Sequence, residues 1–246
     1  MDATRLDILS DGLTLRGALQ TPKADSWPLV VLCHGFLSHK NSSKYEQLAQ
    51  VLADEGFASL RFDFRGCGES EGLLQESTVS ARWTDLHGVI DRAETLAGFN
   101  GRLGLLGSSL GGYLALLEAS RNPRVRCVVV WSAPSHLHEL AERLSEVAPA
   151  AMSLAFHEEL SRVELGPQLG SVQHVLIVHG QEDQQVRPEH ASKLFEAVKE
   201  PKDLHLLENA DHRFTQPEAR EHAIRLSLDW FRKFLYDAER SSPFKV

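Results

Sequence analysis

The feature that most constrains the fold of this chain is an alternation between short, continuous apolar runs and longer stretches with helical spacing. A short apolar run is typical of a strand that is buried on both faces of a parallel sheet. The longer stretches repeat apolar residues every three or four positions, as Ala219, Ala223 and Leu226 do, which is typical of helices that cover a sheet. The predicted strands are Pro28–Cys33, Ala58–Phe62, Gly101–Leu106, Val125–Trp131, His174–Val178 and Asp203–Leu207. The predicted helices are Ser42–Glu55, Val79–Ala97, Leu110–Arg121, Pro188–Lys199 and Gln216–Tyr236.

Strands and helices that alternate in this way build a doubly wound α/β sheet. The N-terminal segment differs, because Leu6 and Ile8 alternate with polar residues before Asp11-Gly12, a dipeptide that favours a hairpin turn. Adding this hairpin to the other strands predicts a mostly parallel eight-stranded sheet with helices on both faces. The whole chain, 1–246, is predicted to form a single domain.

One connection is longer than the others. The chain takes about 40 residues, from Ser132 to Gln173, to cross between two predicted strands, where about 10–12 suffice. Amphipathic spacing in this segment is marked by Leu137, Leu140, Ala141, Leu144 and Val147, and again by Met152, Phe156, Leu160 and Val163. An ordinary crossover helix with a long loop is one interpretation. The interpretation that we favour is a small helical cap over a pocket, at 133–172.

Composition excludes several classes of partner. The formal net charge is -8, and no basic stripe is present to neutralise phosphates, so no nucleic-acid partner is expected. The apolar runs are too short to span a bilayer and the N-terminus lacks a signal-peptide pattern, so no membrane partner is expected. Cys33, Cys67 and Cys127 are widely spaced, which predicts free thiols in a reducing compartment. We therefore expect a cytoplasmic protein without a metal or another cofactor.

A candidate nucleophile lies at one predicted strand end. The carboxyl ends of parallel strands form the edge at which open α/β sheets bind ligands. The pattern Gly107-x-Ser109-x-Gly111 follows a strand directly and opens a helix at Leu110. A serine at such a turn projects its hydroxyl into solvent, and the flanking glycines relieve the crowding of the sharp turn. Ser109 is therefore the predicted nucleophile.

A second match to the same pattern runs from Gly68 to Gly72, with Ser70 at its centre. No predicted strand leads directly into it, and no predicted helix follows it promptly. Glu69 and Glu71 flank the serine, and adjacent carboxylates oppose the formation of an alkoxide or an oxyanion. We therefore interpret Ser70 as part of a glycine-rich surface loop.

A serine hydroxyl needs a base to remove its proton at neutral pH, and the chain has 12 histidines. Those at the predicted sheet edge are His34, His179 and His212. His212 follows the last predicted strand, in a loop that can reach Ser109, and it is the predicted base.

The imidazole in turn needs a carboxylate that holds its tautomer and stabilises its charged form. Asp183 follows the penultimate predicted strand, beside the loop of His212, and is the predicted acid. Glu182 would point elsewhere if Asp183 points inward. Asp211 lies too close to His212 in sequence to orient it easily.

An oxyanion hole needs N–H donors beside the nucleophile. The backbone N–H of Leu110 lies at a predicted helix start, where the helix dipole favours negative charge. The backbone N–H of Phe36, after His34-Gly35, is the best candidate for a second donor. We expect His34 itself to brace its loop rather than to perform acid–base chemistry.

Taken together and in their order along the chain, the motifs resemble those of the α/β-hydrolase superfamily over nearly the whole sequence. Those that carry the resemblance are His34-Gly35-Phe36, Asp63-Phe64-Arg65-Gly66-x-Gly68-x-Ser70, Gly107-x-Ser109-x-Gly111-Gly112, His179-Gly180-x-x-Asp183-x-x-Val186 and Ala210-Asp211-His212. The set looks like that of small carboxylesterases similar to cinnamoyl and feruloyl esterases, and of related acyl thioesterases and serine aminopeptidases. The resemblance implies the α/β-hydrolase fold with Ser109, Asp183 and His212 as catalytic residues. The predicted cap is shorter than the inserted domain of true feruloyl esterases.

Three functions are compatible with these residues. The first is cleavage of small carboxylic esters or thioesters through an acyl-Ser109 intermediate, with a small-molecule substrate as the partner. The second is a serine aminopeptidase-like peptidase, which needs a carboxylate for the substrate amine, and Glu139, Glu142 and Glu146 are the candidates. The third is a non-catalytic hydrolase fold used for binding, although the chain keeps every member of the predicted triad. The sequence makes no prediction of the oligomeric state.

Overall fold

The structure is a computed structural model that describes residues 3–147, 153–163 and 165–236, without the side chains of 143–147 and 167. Its strands are β1 (Thr4–Ser10), β2 (Leu13–Gln20), β3 (Trp27–Cys33), β4 (Ala58–Phe62), β5 (Phe99–Ser108), β6 (Val125–Trp131), β7 (Val175–Gly180) and β8 (Lys202–Leu207). They form an eight-stranded sheet in the order β1-β2-β4-β3-β5-β6-β7-β8. β2 runs antiparallel to both of its neighbours, and the other adjacent pairs are parallel.

Helices cover both faces of this sheet. They are α1 (Ser43–Asp54), α2 (Val79–Glu94), α3 (Leu110–Ala119), α4 (His138–Val147), α5 (Leu154–Arg162), α6 (Gly166–Leu169), α7 (Glu189–Ala197) and α8 (Pro217–Leu235). Successive side chains of β3 point to opposite faces, so Leu29 and Val31 join one core with α2, α3 and α7. Val30 and Leu32 join a second core with α1 and α8. The predicted fold class, a mostly parallel eight-stranded sheet between helices, is confirmed.

The predicted hairpin joins β1 to β2. Asp11 and Gly12 have φ values of 49° and 78°, and positive φ at both central residues is the geometry of a type I′ turn. Side chains alternate across β1, since Ile8 is fully buried and Leu9 is exposed. The hairpin therefore adds a half-buried edge to an otherwise buried sheet.

Two strands extend further than the apolar pattern predicts. β5 continues to Ser108, which pairs with Trp131 of β6. β7 continues to Gly180, and His179 pairs with Leu206 of β8. Polar residues and glycines join these strand ends because backbone pairing with a neighbouring strand does not depend on an apolar side chain. As a result, His179 lies inside a strand, fully buried, rather than in the loop after it.

The long connection between β6 and β7 contains α4, α5 and α6. Phe156 and Leu160 of α5 are buried, and the ring of Phe156 packs 5.1 Å from that of Phe36, measured between centroids. Three members of the predicted patterns lie outside the described residues or side chains, namely Leu144, Val147 and Met152. The extent of a cap at 133–172 stays a prediction.

Cys33, Cys67 and Cys127 are all free and buried, as predicted. Burial raises the pKa of each thiol, so all three are held in the protonated, unreactive form. Among the helices that the structure describes, none is long and apolar enough to cross a membrane.

Candidate active site

Ser109 lies at a sharp turn between β5 and α3, at the carboxyl edge of the sheet. Its φ of 56° and ψ of -128° lie outside the regions that non-glycine residues favour, and its N–H donates to the carbonyl oxygen of Trp131 at 2.9 Å. A Cβ at Gly107 would stand 2.2 Å from the carbonyl oxygen of Gly111, and a Cβ at Gly111 would stand 2.2 Å from that of Cys33. Only glycine fits at these two positions, so the glycines make the turn possible.

Asp183 and His212 contact each other at the same edge. Nδ1 of His212 lies 2.8 Å from Oδ2 of Asp183. The other carboxylate oxygen accepts hydrogen bonds from the N–H groups of Gln185 at 2.8 Å and Val186 at 2.9 Å. The Asp183 side chain is fully buried, while that of His212 is 12% exposed. Because Nδ1–H donates to this carboxylate, the acceptor lone pair of the neutral ring is on Nε2.

Ser109 and His212 line one cavity of about 620 Å³, a size that suits a small-molecule ligand. Its apolar wall consists of Phe36, Leu37, Leu140, Val186 and Phe214. In the part of the chain that the structure describes, no hydrogen bond joins Ser109 Oγ to the ring of His212. Such bonds are often long in enzymes without substrate and shorten when substrate binds. The structure therefore brings the predicted nucleophile and base to one cavity.

A second histidine, which sequence analysis left without a role, contacts the same carboxylate. Nε2 of His179 lies 2.8 Å from the carbonyl oxygen of Val186 and 3.3 Å from Oδ2 of Asp183. Burial by itself raises the pKa of Asp183, but the hydrogen bonds from His179 and His212 outweigh burial, so this pKa lies well below its ordinary value. Asp183 is therefore ionised at neutral pH.

The other carboxylates near the predicted acid turn away from it. Glu182 is exposed and accepts a hydrogen bond from the N–H of Asn209 at 3.1 Å. Asp211 accepts one from the N–H of Thr215 at 2.8 Å. Both outcomes agree with the sequence argument that singled out Asp183.

His34 braces the loop that carries Phe36. Its Nδ1 lies 2.8 Å from the carbonyl oxygen of Gly35, and its Nε2 accepts a hydrogen bond from the N–H of Phe64 at 3.1 Å. Burial lowers the pKa of His34 to about 3, so the ring is neutral. The predicted bracing role of His34 agrees with these contacts.

The two predicted oxyanion donors adjoin Ser109. A Cβ on Gly35 would stand 3.1 Å from Cβ of Ser109, so the backbone just before Phe36 lies against the serine. Leu110 follows Ser109 as the first residue of α3 and is fully buried. The N–H groups of a first helical turn have no acceptor within their own helix. That the N–H groups of Phe36 and Leu110 bind an oxyanion stays a prediction.

Ser70, at the centre of the second serine motif, joins its loop to the sheet. Its Oγ donates to the carbonyl oxygen of Asp63 at 2.6 Å and accepts from the N–H of Arg16 at 2.9 Å. Glu69 beside it forms an ion pair with Lys40. The interpretation of Ser70 as a loop residue is confirmed.

No described aspartate or glutamate lines the cavity around Ser109. Oε2 of Glu139 instead lies 3.3 Å from Nε2 of His190. Glu142 is exposed, and the side chain of Glu146 is outside those described. Within the described cavity, therefore, no carboxylate is placed to form an ion pair with a substrate amine.

His136, His138 and Glu139 are the described residues whose positions would suit a metal ion. Their ligand atoms lie within 4.8 Å of one another, and the two imidazole rings stack with centroids 4.0 Å apart. Burial, followed by the neighbouring histidines, lowers the pKa of His136 to about 4, so that ring is neutral. His138 and Glu139 begin α4, His136 precedes it, and none of the three lines the cavity around Ser109.

The fold and the position of the site define the class of protein. A serine on the turn after β5, an aspartate after β7 and a histidine after β8, around a mostly parallel sheet, are the arrangement of an α/β-hydrolase. The family model described as "Serine aminopeptidase, S33" matches residues 24–164, which is more than half of the chain. The chain belongs to this family.

The curated relatives include bacterial proteins and a mitochondrial protein of mammals. An uncharacterized 31.7 kDa protein of Escherichia coli is 36% identical over 123 residues, 49% of this chain and 42% of that protein. The human mitochondrial palmitoyl-protein thioesterase ABHD10 is 36% identical over 96 residues, 39% of this chain and 30% of that protein. The putative esterase YitV of Bacillus subtilis is 24% identical over 235 residues, 85% of this chain and 89% of that protein. The chain thus spans less than half the length of the first two.

Solved structures share the fold over nearly the whole chain. Est1E from Butyrivibrio proteoclasticus, with ferulic acid bound, has a TM-score of 0.82 at 21% identity, and the match covers 92% of this chain and 99% of Est1E. Mouse ABHD10 has a TM-score of 0.78 at 22% identity, over 95% of this chain and 99% of that one. These likenesses establish the α/β-hydrolase fold.

Proposed function

We propose that this chain is a serine hydrolase that cleaves carboxylic esters or thioesters of small acyl substrates. Its main activity is that of a carboxylesterase. The observation that carries the proposal is the 2.8 Å contact between Nδ1 of His212 and Oδ2 of Asp183, beside a cavity that Ser109 also lines. Relatives named as an esterase and as a thioesterase support the same class.

In the first half of the reaction, Nε2 of His212 takes the proton of Ser109 as its Oγ attacks the carbonyl carbon. The electron pair of the carbonyl double bond moves to the oxygen, which the N–H groups of Phe36 and Leu110 stabilise. Asp183 stays ionised and stabilises the imidazolium. The tetrahedral intermediate then collapses, His212 protonates the departing alcohol or thiol, and an acyl-Ser109 ester remains.

In the second half, water takes the place of the leaving group. Nε2 of His212 removes a proton from this water, whose oxygen attacks the acyl carbon. The same N–H donors hold the second oxyanion. Collapse releases the carboxylic acid and returns the proton to Oγ of Ser109, which restores the starting state without a cofactor.

The test is Ser109→Ala, assayed on p-nitrophenyl esters and acyl thioesters of graded chain length. We expect kcat to fall on the order of 10⁴–10⁶-fold. The matched control is Ser70→Ala, which removes the serine of the other glycine-flanked motif and should leave labelling by a fluorophosphonate probe intact. Ester hydrolysis by Ser109→Ala near the wild-type rate would overturn the proposal.

The second candidate is a serine aminopeptidase-like peptidase, which the family description favours. The described cavity lining lacks the carboxylate that such a substrate's amine needs, so we rank this function second. Turnover of aminoacyl arylamides without turnover of p-nitrophenyl esters would reverse that order. The third candidate, a non-catalytic binding protein, would be supported if no fluorophosphonate labelled the folded chain.

A cytoplasmic location is part of the proposal. It is supported by the buried, free state of Cys33, Cys67 and Cys127, which is usual in a reducing compartment. The proposed partner is a small acyl ester or thioester, and no nucleic acid or membrane partner is proposed.

A further inference from the structure

The cavity around Ser109 has a charge opposite to that of the chain as a whole. The chain carries 34 acidic and 26 basic residues. Nevertheless, Lys44, Arg213 and Arg220 all line the cavity, and none of the described aspartates or glutamates does. Clefts lined by one sign of charge concentrate ligands of the opposite sign.

Two cations of this wall, Lys44 and Arg220, donate hydrogen bonds to neutral groups. Nζ of Lys44 donates to Oγ of Ser108 at 2.8 Å. The guanidinium of Arg220 donates to Oγ of Ser43 at 3.2 Å and to the carbonyl oxygen of Thr215 at 3.0 Å. Its Nε is buried and has no hydrogen-bond partner among the described residues. A buried donor without an acceptor costs free energy, so the described residues leave the guanidinium of Arg220 only partly satisfied.

The cations of this wall form no ion pair with any carboxylate that the structure describes. Within the described chain, no carboxylate oxygen lies within 4.0 Å of the side-chain nitrogens of Lys44, Arg213 or Arg220. Burial, followed by the nearby Arg213, lowers the pKa of Lys44 to about 8, so its ammonium is still mostly charged at neutral pH. Asp211 and Asp183 favour the charged form of Lys44 from a greater distance, but no described carboxylate forms an ion pair with the cations of this wall.

The start of α1 adds to the same wall. Ser42, Ser43 and Lys44 line the cavity, and they are the N-cap and the first two residues of this helix. The Ser42 side chain makes no capping hydrogen bond, and its Oγ is buried without a partner among the described residues. The N–H groups of a first helical turn and the helix dipole both favour an anion.

We propose that this wall is an anion subsite, and that the substrate carries a carboxylate or a phosphate group in addition to its ester or thioester bond. The inference rests on the proposed function, because it names the substrate class of the same cavity. Lys44 and Arg220 bind the anionic group. Lys44 contacts Ser108, the neighbour of Ser109, and Arg220 contacts Ser43, the neighbour of Lys44, so both cations are linked to the reaction centre.

The experiment compares acetate esters that share one aromatic ring: methyl 4-acetoxybenzoate, 4-acetoxybenzoate and 4-acetoxyphenyl phosphate. Each kcat/KM is divided by the ester's own rate of hydrolysis by hydroxide, so that leaving-group chemistry cancels. We expect at least one anionic ester to exceed the neutral ester by about tenfold or more at low salt, since a hydrogen bond to a charged group is worth that much. The two anionic esters distinguish a carboxylate from a phosphate.

A second pair moves the charge to the acyl side: the 4-nitrophenyl ester of terephthalic acid and its methyl ester. A preference for the anion in either series supports the proposal. Hydrolysis of every ester with no preference for an anion in either series overturns it, while the proposed hydrolase function stands. If none of the esters is hydrolysed, the result counts against both the anion subsite and the proposed hydrolase function.

Variants test the assignment to named residues. Arg220→Gln and Lys44→Met should each lower the anionic-to-neutral ratio of kcat/KM by about tenfold. The matched control is Arg225→Gln, because Arg225 is exposed on the same helix as Arg220 and does not line the cavity. An equal effect of Arg220→Gln and Arg225→Gln would show that overall charge, not this wall, sets the preference. If Arg220→Gln fails to fold, as judged by thermal unfolding, Lys44→Met decides the question.

Discussion

Nε2 of His179 lies 3.3 Å from Oδ2 of Asp183, and both side chains are fully buried. The same carboxylate oxygen accepts the hydrogen bond from His212. The backbone N–H groups of Gln185 and Val186 hold the other oxygen. With donors on both oxygens, the carboxylate has one orientation, and His179 acts on the site through Asp183.

His179→Phe should lower kcat for a neutral p-nitrophenyl ester by about tenfold, because a hydrogen bond to a charged carboxylate is lost. KM should change less, since His179 does not line the cavity. Steady-state kinetics over a range of substrate concentrations separates the two constants. His222→Phe, at an exposed position of α8, is the control. A rise in KM with unchanged kcat would contradict this positioning role.

Asp183→Asn should lower kcat by about 10⁴-fold, because the amide cannot stabilise the imidazolium of His212 and favours the wrong tautomer. Glu182→Gln changes the adjacent, exposed carboxylate in the same way and should leave kcat near the wild-type value. Both variants are compared by steady-state hydrolysis of a p-nitrophenyl ester at saturating substrate. Similar losses in the two variants would mean that Asp183 is not the acid of the triad.

Gly111→Ala should destabilise the fold by about 1–3 kcal/mol or more, because overpacking against backbone has no flexible side chain to yield. The added Cβ would stand 2.2 Å from the carbonyl oxygen of Cys33. Gly170→Ala is the control, since a Cβ there meets no atom within 4 Å and should change stability by less than about 0.5 kcal/mol. Urea unfolding measures both. Equal stability of the two variants would show that the turn at Ser109 tolerates a side chain.

The preference for an anionic ester should fall as the pH rises through about 8, the value to which burial and the neighbouring arginines, Arg213 and Arg220, lower the pKa of Lys44. Asp211 and Asp183 act in the opposite direction but are outweighed. The carboxylate of 4-acetoxybenzoate stays ionised throughout, so the change reports on the protein. In Lys44→Met the ratio of anionic to neutral kcat/KM should not change across this range. A wild-type ratio that stays constant between pH 7 and 9.5 would contradict the prediction.

The lowered pKa of Lys44 also makes the stability of the fold depend on pH. Between about pH 8 and the ordinary value of 10.5, the folded chain holds fewer protons at Lys44 than the unfolded chain does. Lys44 therefore makes the free energy of unfolding rise with pH in this window. Comparing urea unfolding of the wild type and Lys44→Met at pH 7.5 and 10 isolates this contribution, which should be absent from the variant.

Much of the fold could be predicted from the sequence, because its signals are local. The apolar run of β3 and the amphipathic spacing of α8 each lie within one element, and each led to bounds within a residue or two of those observed. The turn at Ser109 was predictable for the same reason, since strand, glycines and helix follow one another directly. The apolar pattern did not predict strand ends that depend on backbone pairing. His179, for example, belongs to β7 because of its backbone pairing with β8.

The sequence by itself determined the doubly wound sheet and the strand end on which Ser109, Asp183 and His212 each lie. It did so because burial on two faces and a strand-to-helix turn leave patterns in neighbouring residues. Only the tertiary structure decided that His179 shares Asp183 with His212. It alone also decided that Lys44, Arg213 and Arg220 line the cavity of Ser109, where no described carboxylate does. These groups come from different loops and helices, and the distances among them are set by packing, which no local pattern records.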